Sequence, residues 1–363
     1  MASTKLFYAL LSGLHATLPL AELRGILEAL GQRYRVVETL DLVAVYESSA
    51  PSSRGVASRA GLIHETGRVL AVTEARLADI LDEAEFIDWC AYFSQGDRVK
   101  FELVRLRGYA KDDVPDNAAR RLAERAAPLL RGCGVEATPR EPTRHIRLIV
   151  SLGTAIIALR EDEQPKKLLE QHRPQKRPFF HPGSLDPRLA RLFINLARAA
   201  PPGPYLDPFC GTGGFAIEAQ TLGIQTLCGE LAKKLAEGAR RNTQAYPGAM
   251  LTENLQWDAT RLPIRDNTVQ SIGTDPPYGR STSTRGKPLQ QLLPEFLQEA
   301  ARVLKPGAHL AFAAPHWIQD KLQDYTEQAG LKTLEQHYMK VHGSLTRIVV
   351  VAINKNKYFL NYY

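Results

Sequence analysis

Apolar positions change their rhythm near residue 160 of this chain. Before it, short runs such as KLFYALLS, YRVVET, LVAVYES, RVKFELVRLRG, HIRLIVSL and TAIIALR alternate or bunch as strands do, and the last two read as a hairpin turned at Gly153. Between them, apolar residues three or four apart predict helices in LAELRGILEALG, closed by Gly31, and in GVASRAGL, EARLADILD and NAARRLAERAAPLLR. The pattern predicts two small α+β units, residues 1–50 and 51–160. Residues 161–178, EDEQPKKLLEQHRPQKRP, are charged, proline-rich and poor in apolar residues, which predicts a solvated linker with local basic character at Lys166, Lys167, Arg173, Lys176 and Arg177.

From 179 to 363 strands and helices alternate. Asp186 and Pro187 are good start signals for the helix DPRLARLFINLARAA. After it come YLD, a glycine loop, the helix GFAIEAQTLG, the strands QTLCGE, NLQWDA and TVQSIGTD with helices between, HLAFAAP, and a closing pair of strands. Such alternation predicts an α/β domain with a mostly parallel sheet covered by helices on both faces, whose ligand sits at the carboxyl ends of the strands.

Composition narrows the setting. The 363 residues are 44% hydrophobic and 23% charged, ordinary for globular domains. Ser12, Gly13, His15 and Pro19 break up the first apolar run, and no run approaches the roughly 20 residues of a membrane-spanning helix, so a cytoplasmic protein without membrane partner is expected. Cys90, Cys133, Cys210 and Cys228 lie far apart, which predicts reduced structural thiols and no metal site. The net charge is +7; residues 1–97 hold 8 Lys and Arg against 13 Asp and Glu, whereas 98–147 hold 12 against 7. That basic block suits a polyanion such as nucleic acid or a merely solvated surface.

Carboxylates at successive strand ends carry the candidate chemistry. In LDPFCGTGG the glycines permit close backbone approach to a ligand, but neither G-x-G-x-x-G nor the Lys-Ser/Thr of a phosphate loop is present. Asp207, Glu230 and Asp258 end three consecutive strands, a set suited to a nucleoside with donor groups. A fourth strand ends in GTDPPYGRS, where two prolines stiffen the segment and fix the Asp275 carboxylate, a prolyl carbonyl and the Tyr278 ring together. Two acceptors and a stacking plate match a planar heterocycle bearing an amino group. Pulling both amine hydrogens toward acceptors aims the nitrogen lone pair at an electrophile. Once methylated, the nitrogen is strongly acidic, so Asp275 can take its proton without a raised pKa.

Together DPFCGTGG, GTDPPYGRS, RPFFHPGSLDPRLARLFINLA and HGSLTR resemble the tRNA guanosine N2-methyltransferases with an N-terminal THUMP domain, specifically the archaeal and eukaryotic enzymes acting on position 10. The resemblance implies a Rossmann-like class I methyltransferase domain over 179–363 with a seven-stranded sheet, a ferredoxin-like domain over 1–50 and a tRNA-gripping THUMP domain over 51–160. It implies S-adenosylmethionine as cofactor and tRNA as partner, and leaves a small activator protein open. Carried over, Asp207, Phe209, Gly211 and Gly213 line the methionine and ribose part of the cofactor, Glu230 holds the ribose hydroxyls, Asp258 the adenine amine, and His181 with Pro182 closes over the methionine end. Asp275, Pro276 and Tyr278 receive the guanine, and an Asp rather than an Asn before the prolines goes with position 10 rather than position 6. His342, Ser344, Thr346 and Arg347 reach the site mouth or the tRNA, or simply occupy a hairpin. A DNA adenine-N6 methyltransferase is the nearest alternative, opposed by the lack of a groove-reading helix-turn-helix in the N-terminal half. A non-catalytic tRNA-binding protein would show an eroded loop or tetrapeptide, and neither is eroded.

Overall fold

The computed structural model describes residues 4–278, 287–342 and 345–355. Gly279, Arg280, Ser281, Gly343 and Ser344 of the quoted motifs lie outside the described residues. The chain divides into two compact units, one comprising 1–13, 32–58 and 63–164, the other 14–31, 59–62 and 165–363.

In the first unit β1 (Lys5–Leu11), β2 (Tyr34–Leu40), β3 (Val43–Ser48), β4 (Ile63–Glu74), β5 (Arg98–Arg105), β6 (Glu136–Ala137), β7 (Arg144–Ser151) and β8 (Thr154–Glu163) form one sheet in the order β2-β3-β1-β4-β8-β7-β5-β6. The expected division at residue 50 is therefore not a division between sheets, because β1 pairs with both β3 and β4. Strand β4 gave no alternating signal. A Cβ on its Gly67 would meet the Leu159 carbonyl at 2.1 Å and the Tyr8 ring at 2.8 Å, so glycine is what admits the close neighbours. The segment GVASRAGL, expected as a helix, contains no helical run. Helices α2 (Leu77–Phe86) and α3 (Ala118–Gly132) bury Ile80, Ala84, Leu122, Ala126 and Leu130 in a core with Ile146, Leu148 and Ile157 of the sheet. Cys90 and Cys133 are joined by a disulfide with Cα atoms 5.6 Å apart, correcting the expectation of four reduced thiols. Cys90 sits in the 3-10 turn Trp89–Ala91 and Cys133 follows α3, and nothing in their spacing announces that this turn reaches the end of that helix. Cys210 and Cys228 are free and buried.

The second unit holds α4 (Lys166–Gln171), α5 (Pro187–Leu196), β9 (Tyr205–Asp207), α6 (Gly214–Thr221), β10 (Thr226–Glu230), α7 (Lys233–Gln244), β11 (Thr252–Gln256), β12 (Val269–Thr274), α8 (Leu289–Val303), β13 (Leu304–Pro315), α9 (Gln319–Gln328), β14 (Leu331–His342) and β15 (Leu345–Asn354). Its sheet runs β11-β10-β9-β12-β13-β15-β14, parallel through β13 and antiparallel at β15. Alternate residues of β13 serve two cores: Leu310 and Phe312 join Phe296 and Leu297 of α8, while Ala311 and Ala313 join Leu192, Phe193 and Leu196 of α5. Burial on both faces is why these strands read as apolar runs. Strand order reverses at β9, between β10 and β12, and a crevice opens there at the carboxyl ends.

Two parts of the chain change sides relative to the sequence reading. Helix α1 (Leu18–Ala29) belongs to the second unit, where buried Glu22 accepts from Gly61 N (2.7 Å), Leu62 N (2.7 Å) and Asn195 Nδ2 (2.8 Å). The expected linker is also structured. His172 is buried with Nδ1 2.7 Å from Glu218 Oε1, while Arg191 Nε donates to Glu218 Oε2 at 2.7 Å. Few apolar residues are needed there, since the His172 ring bonds the buried Glu218 carboxylate and Arg177 Nε donates to the His172 carbonyl.

Candidate active site

A cavity of about 790 Å³ lies at the ends of β9, β10 and β12, within the usual range for ligand sites. His181, Phe209, Gly211, Glu230, Asp258, Asp275, Pro276 and Tyr278 all line it. Asp207 and Gly213, expected beside them on the cofactor, do not reach the wall.

The loop after β9 is held from several sides. Gly211 and Gly213 have φ of 51° and 80°, and a Cβ on Gly213 would press on Thr243 and Ala239 at 3.3 and 3.4 Å, whereas one on Gly211 would meet nothing within 4 Å. Gly213 serves helix packing and Gly211 leaves room for a ligand. Phe209 packs edge-on against Phe296 at 5.0 Å. Ser184 joins the loop to the segment ahead of α5, its Oγ lying 2.8 Å from the His181 carbonyl and 2.9 Å from Thr212 Oγ1.

Asp207 is fully buried beneath this loop. Its Oδ1 accepts from Thr274 Oγ1 (2.7 Å) and Phe209 N (3.3 Å), while Oδ2 has no partner. Burial pushes its carboxyl up to about 8, against those two hydrogen bonds and with help from the charges of Glu230 and Asp275. Glu230 is fixed by Gly211 N (3.1 Å) and Ala232 N (2.9 Å). Asp258 accepts from Thr260 N (2.9 Å) and Thr260 Oγ1 (2.8 Å); burial tends to raise its pKa, but these bonds and the charges of Lys287 and Arg261 hold it below the usual carboxylate range.

On the far side of β9, Asp275 leaves the end of β12. Tyr278 Oη donates to Asp275 Oδ1, and Arg347 Nη2 stands 3.1 Å from Oδ2. Burial pushes the Asp275 carboxyl up, opposed by the Arg347 charge and the Tyr278 hydroxyl. The Arg347 guanidinium lies 5.6 Å over the Tyr278 ring, so the ring is not the free plate the sequence predicts and its hydroxyl has a partner of its own. Thr346 and Arg347 line the cavity; His342 appears as a member of the β14–β15 ladder.

Arg177 escaped the sequence reading, which counted it among linker charges. It lines the cavity, is 5% exposed, and donates through Nε to the His172 carbonyl, while both Nη atoms are buried without partners. Nη1 lies 3.0 Å from where a Cβ on Gly214 would stand, beside the first turn of α6. Its signal was one more arginine inside a charged stretch, directly after Lys176, which looks the same whether solvated or buried.

The family described as RMKL-like, methyltransferase domain, matches residues 174–348. The tRNA (guanine(10)-N2)-dimethyltransferase of Methanothermobacter thermautotrophicus is 34% identical over 94% of this chain and 97% of its own length. The chain belongs to the tRNA guanine-N2 methyltransferases. The enzyme of that name from Pyrococcus abyssi is 28% identical over 94% of this chain and 98% of its own, and the tRNA (guanine(6)-N2)-methyltransferase of Thermus thermophilus 32% over 50% and 53%. Crystalline TrmN from Thermus thermophilus shares the fold, with a TM-score of 0.51 at 23% identity over 96% of this chain and 99% of that one.

The methyl donor of this methyltransferase is S-adenosylmethionine. The cavity's donor set fits it. Two fixed carboxylates, Glu230 and Asp258, face a ligand rich in hydroxyl and amine donors; the partnerless guanidinium nitrogens of Arg177 stand beside a helix N-terminus, where a carboxylate is favoured; and open space lies over Gly211. Among the described residues no helix of the methyltransferase is long and apolar enough to cross a membrane, and no group of three His, Cys, Asp or Glu could hold a metal.

Proposed function

We propose that this methyltransferase acts on the exocyclic N2 amine of guanosine at tRNA position 10, adding one methyl or two. The observation that carries the reading is the corner of Asp275, Pro276 and Tyr278, which presents a fixed carboxylate to the same cavity as Glu230 and Asp258. Position 10 is supported by the relatives of that name, which match over nearly the whole chain, whereas the position 6 enzyme of Thermus thermophilus matches half.

In this reading Glu230 takes the ribose hydroxyls, Asp258 the adenine amine, and Phe209, Gly211 and His181 enclose the methionine end, with Arg177 on its carboxylate. Asp207 and Gly213 act from beneath, by shaping the loop. S-adenosylmethionine supplies an electrophilic methyl on sulfur, so the bond from N2 forms as the carbon–sulfur bond breaks. Asp275 and the Pro276 carbonyl hold the amine hydrogens, and Asp275 receives the proton that N2 loses. Its raised pKa makes it a better acceptor than a solvated carboxylate. The first unit, with its basic block at 98–147, is the ferredoxin-like and THUMP part that holds tRNA, recognising shape and ends rather than a groove sequence.

The test uses the full chain, an unmodified tRNA transcript and methyl-labelled cofactor, with nucleosides identified by mass spectrometry. N2-methyl- or N2,N2-dimethylguanosine is expected, and it should disappear when guanosine 10 is replaced by adenosine. Persistence of product after that change, with loss on changing position 6, would move the assignment to position 6. Methyladenosine in duplex DNA would replace it altogether.

A further inference from the structure

We propose that Arg347 is a positioning residue for methyl transfer, clamping the Asp275 carboxylate and the Tyr278 ring in one arrangement. The proposal rests on the reading of Asp275 as the group that receives the amine.

Strand β15 lies between β13 and β14, and its register sets Arg347 opposite Pro315 on one side and Met339 on the other. Pro315 is the last residue of β13, so this antiparallel strand begins at the crevice end of the parallel sheet and delivers Arg347 to the cavity wall. There the guanidinium does two things at once. Nη2 pairs with Asp275 Oδ2 at 3.1 Å, and the flat group covers the Tyr278 ring at 5.6 Å. Tyr278 Oη closes the triangle on Asp275 Oδ1. Each oxygen of Asp275 thus has one holder, and each retains acceptor capacity for an incoming amine hydrogen.

The pair is a poor device for stability. The two side chains are only 11% and 14% exposed, and Nε and Nη1 of Arg347 are buried with no partner. A buried cation with three of its five N–H donors unmet costs more than an apolar side chain of similar size. Lysine would supply the charge without the planar face. The charged and titratable groups around Asp275 are Arg347 from β15, Tyr278 of its own segment and Asp207 at the end of β9; only the first favours its ionised form by charge. Without Arg347, Asp275 would hold a proton to higher pH and lose an acceptor oxygen.

Turnover of guanosine in a tRNA transcript by the full chain is measured against pH for wild type, Arg347→Lys, Arg347→Met and Asp275→Asn. Arg347→Met should lower kcat about 100-fold at neutral pH with the tRNA KM within about threefold, and the loss should shrink as pH rises. Arg347→Lys should keep the wild-type pH profile with a smaller loss. An equal loss at every pH, unchanged kcat, or a change in KM alone would overturn the proposal. Full turnover by Asp275→Asn would instead overturn the role of Asp275 and take the clamp with it. Thermal unfolding of the same proteins and of the double variant Asp275→Asn, Arg347→Met gives a readout independent of activity. Arg347→Met should lose stability more steeply with rising pH than the double variant, because the folded-state pKa of Asp275 is then further above the unfolded one, while buried Asp207 contributes the same pH dependence to both. Parallel pH dependence in the two would refute the coupling.

Discussion

Carboxylates in the sheet of the first unit and at the crevice of the second are treated in opposite ways. In the first, Glu65 receives Tyr8 Oη (2.6 Å), Arg147 Nη2 (2.6 Å) and Arg147 Nε (2.9 Å). Burial tends to raise Glu102, yet Lys100, His145 and Arg147 around it hold it at about 2. In the second unit Asp207 keeps an oxygen without a partner and rises to about 8. Saturated charges belong to a sheet that must hold its register, whereas Asp207 keeps its unmet oxygen directly beneath the loop that lines the cavity. The contrast separates scaffold from site by physical state rather than by residue type.

The comparison breaks most visibly at Asp275. Asp275→Ala should cut single-turnover methyl transfer by about 1,000-fold or more, with cofactor and tRNA affinity within about threefold, since an acceptor used in the transition state is lost. Retained transfer would place Asp275 with the scaffold carboxylates. Next in size is Arg147→Met, which removes the cation shared by Glu65 and Glu102 and should destabilise the protein by about 3 kcal/mol in chemical denaturation. A neutral result would mean that the network adds nothing.

Asp207 gives a subtler contrast. Its folded-state pKa lies above the unfolded value, so its contribution to stability is present below about pH 4 and is lost as pH rises to about 8. Asp207→Asn carries no charge to bury and should stabilise the cofactor-free protein at pH 8 by about 1–3 kcal/mol, with little change at pH 4. Thermal melts at the two pH values decide it, and identical slopes in both proteins would refute the buried-charge account. The smallest effect is expected of Tyr278→Phe, which keeps the ring and removes the donor to Asp275. A loss of about tenfold in kcat is expected, against a larger one for Tyr278→Ala. Equal losses would assign the whole effect to the hydroxyl.

Much of the site was readable because its parts are local. Glycines in a strand-to-helix turn, acids at strand ends and a proline-stiffened tetrapeptide need only their own backbone to be recognised, and α5 announced itself through Asp186, which accepts from Arg188 N at 2.8 Å. What escaped depends on approach from elsewhere. Strand β4 has no place in the sequence reading, and the neighbours that require a glycine at 67 are far away in sequence. The Cys90–Cys133 bond needs a turn brought to the end of a helix. Arg177 passed as a solvated linker charge because a buried arginine held through a backbone carbonyl leaves no apolar pattern.

The sequence by itself determined the α/β class, the strand-end carboxylates and the Asp275–Tyr278 corner, since each follows from backbone conformation and side-chain chemistry within a few residues. Tertiary structure alone decided that Asp207 lies beneath the loop, that α1 belongs with the methyltransferase sheet, and that Arg347 meets Asp275. Those facts depend on which surfaces exclude water together and how a strand late in the chain is registered. Burial and charge pairing act through space, and a linear pattern carries them only where space and sequence coincide.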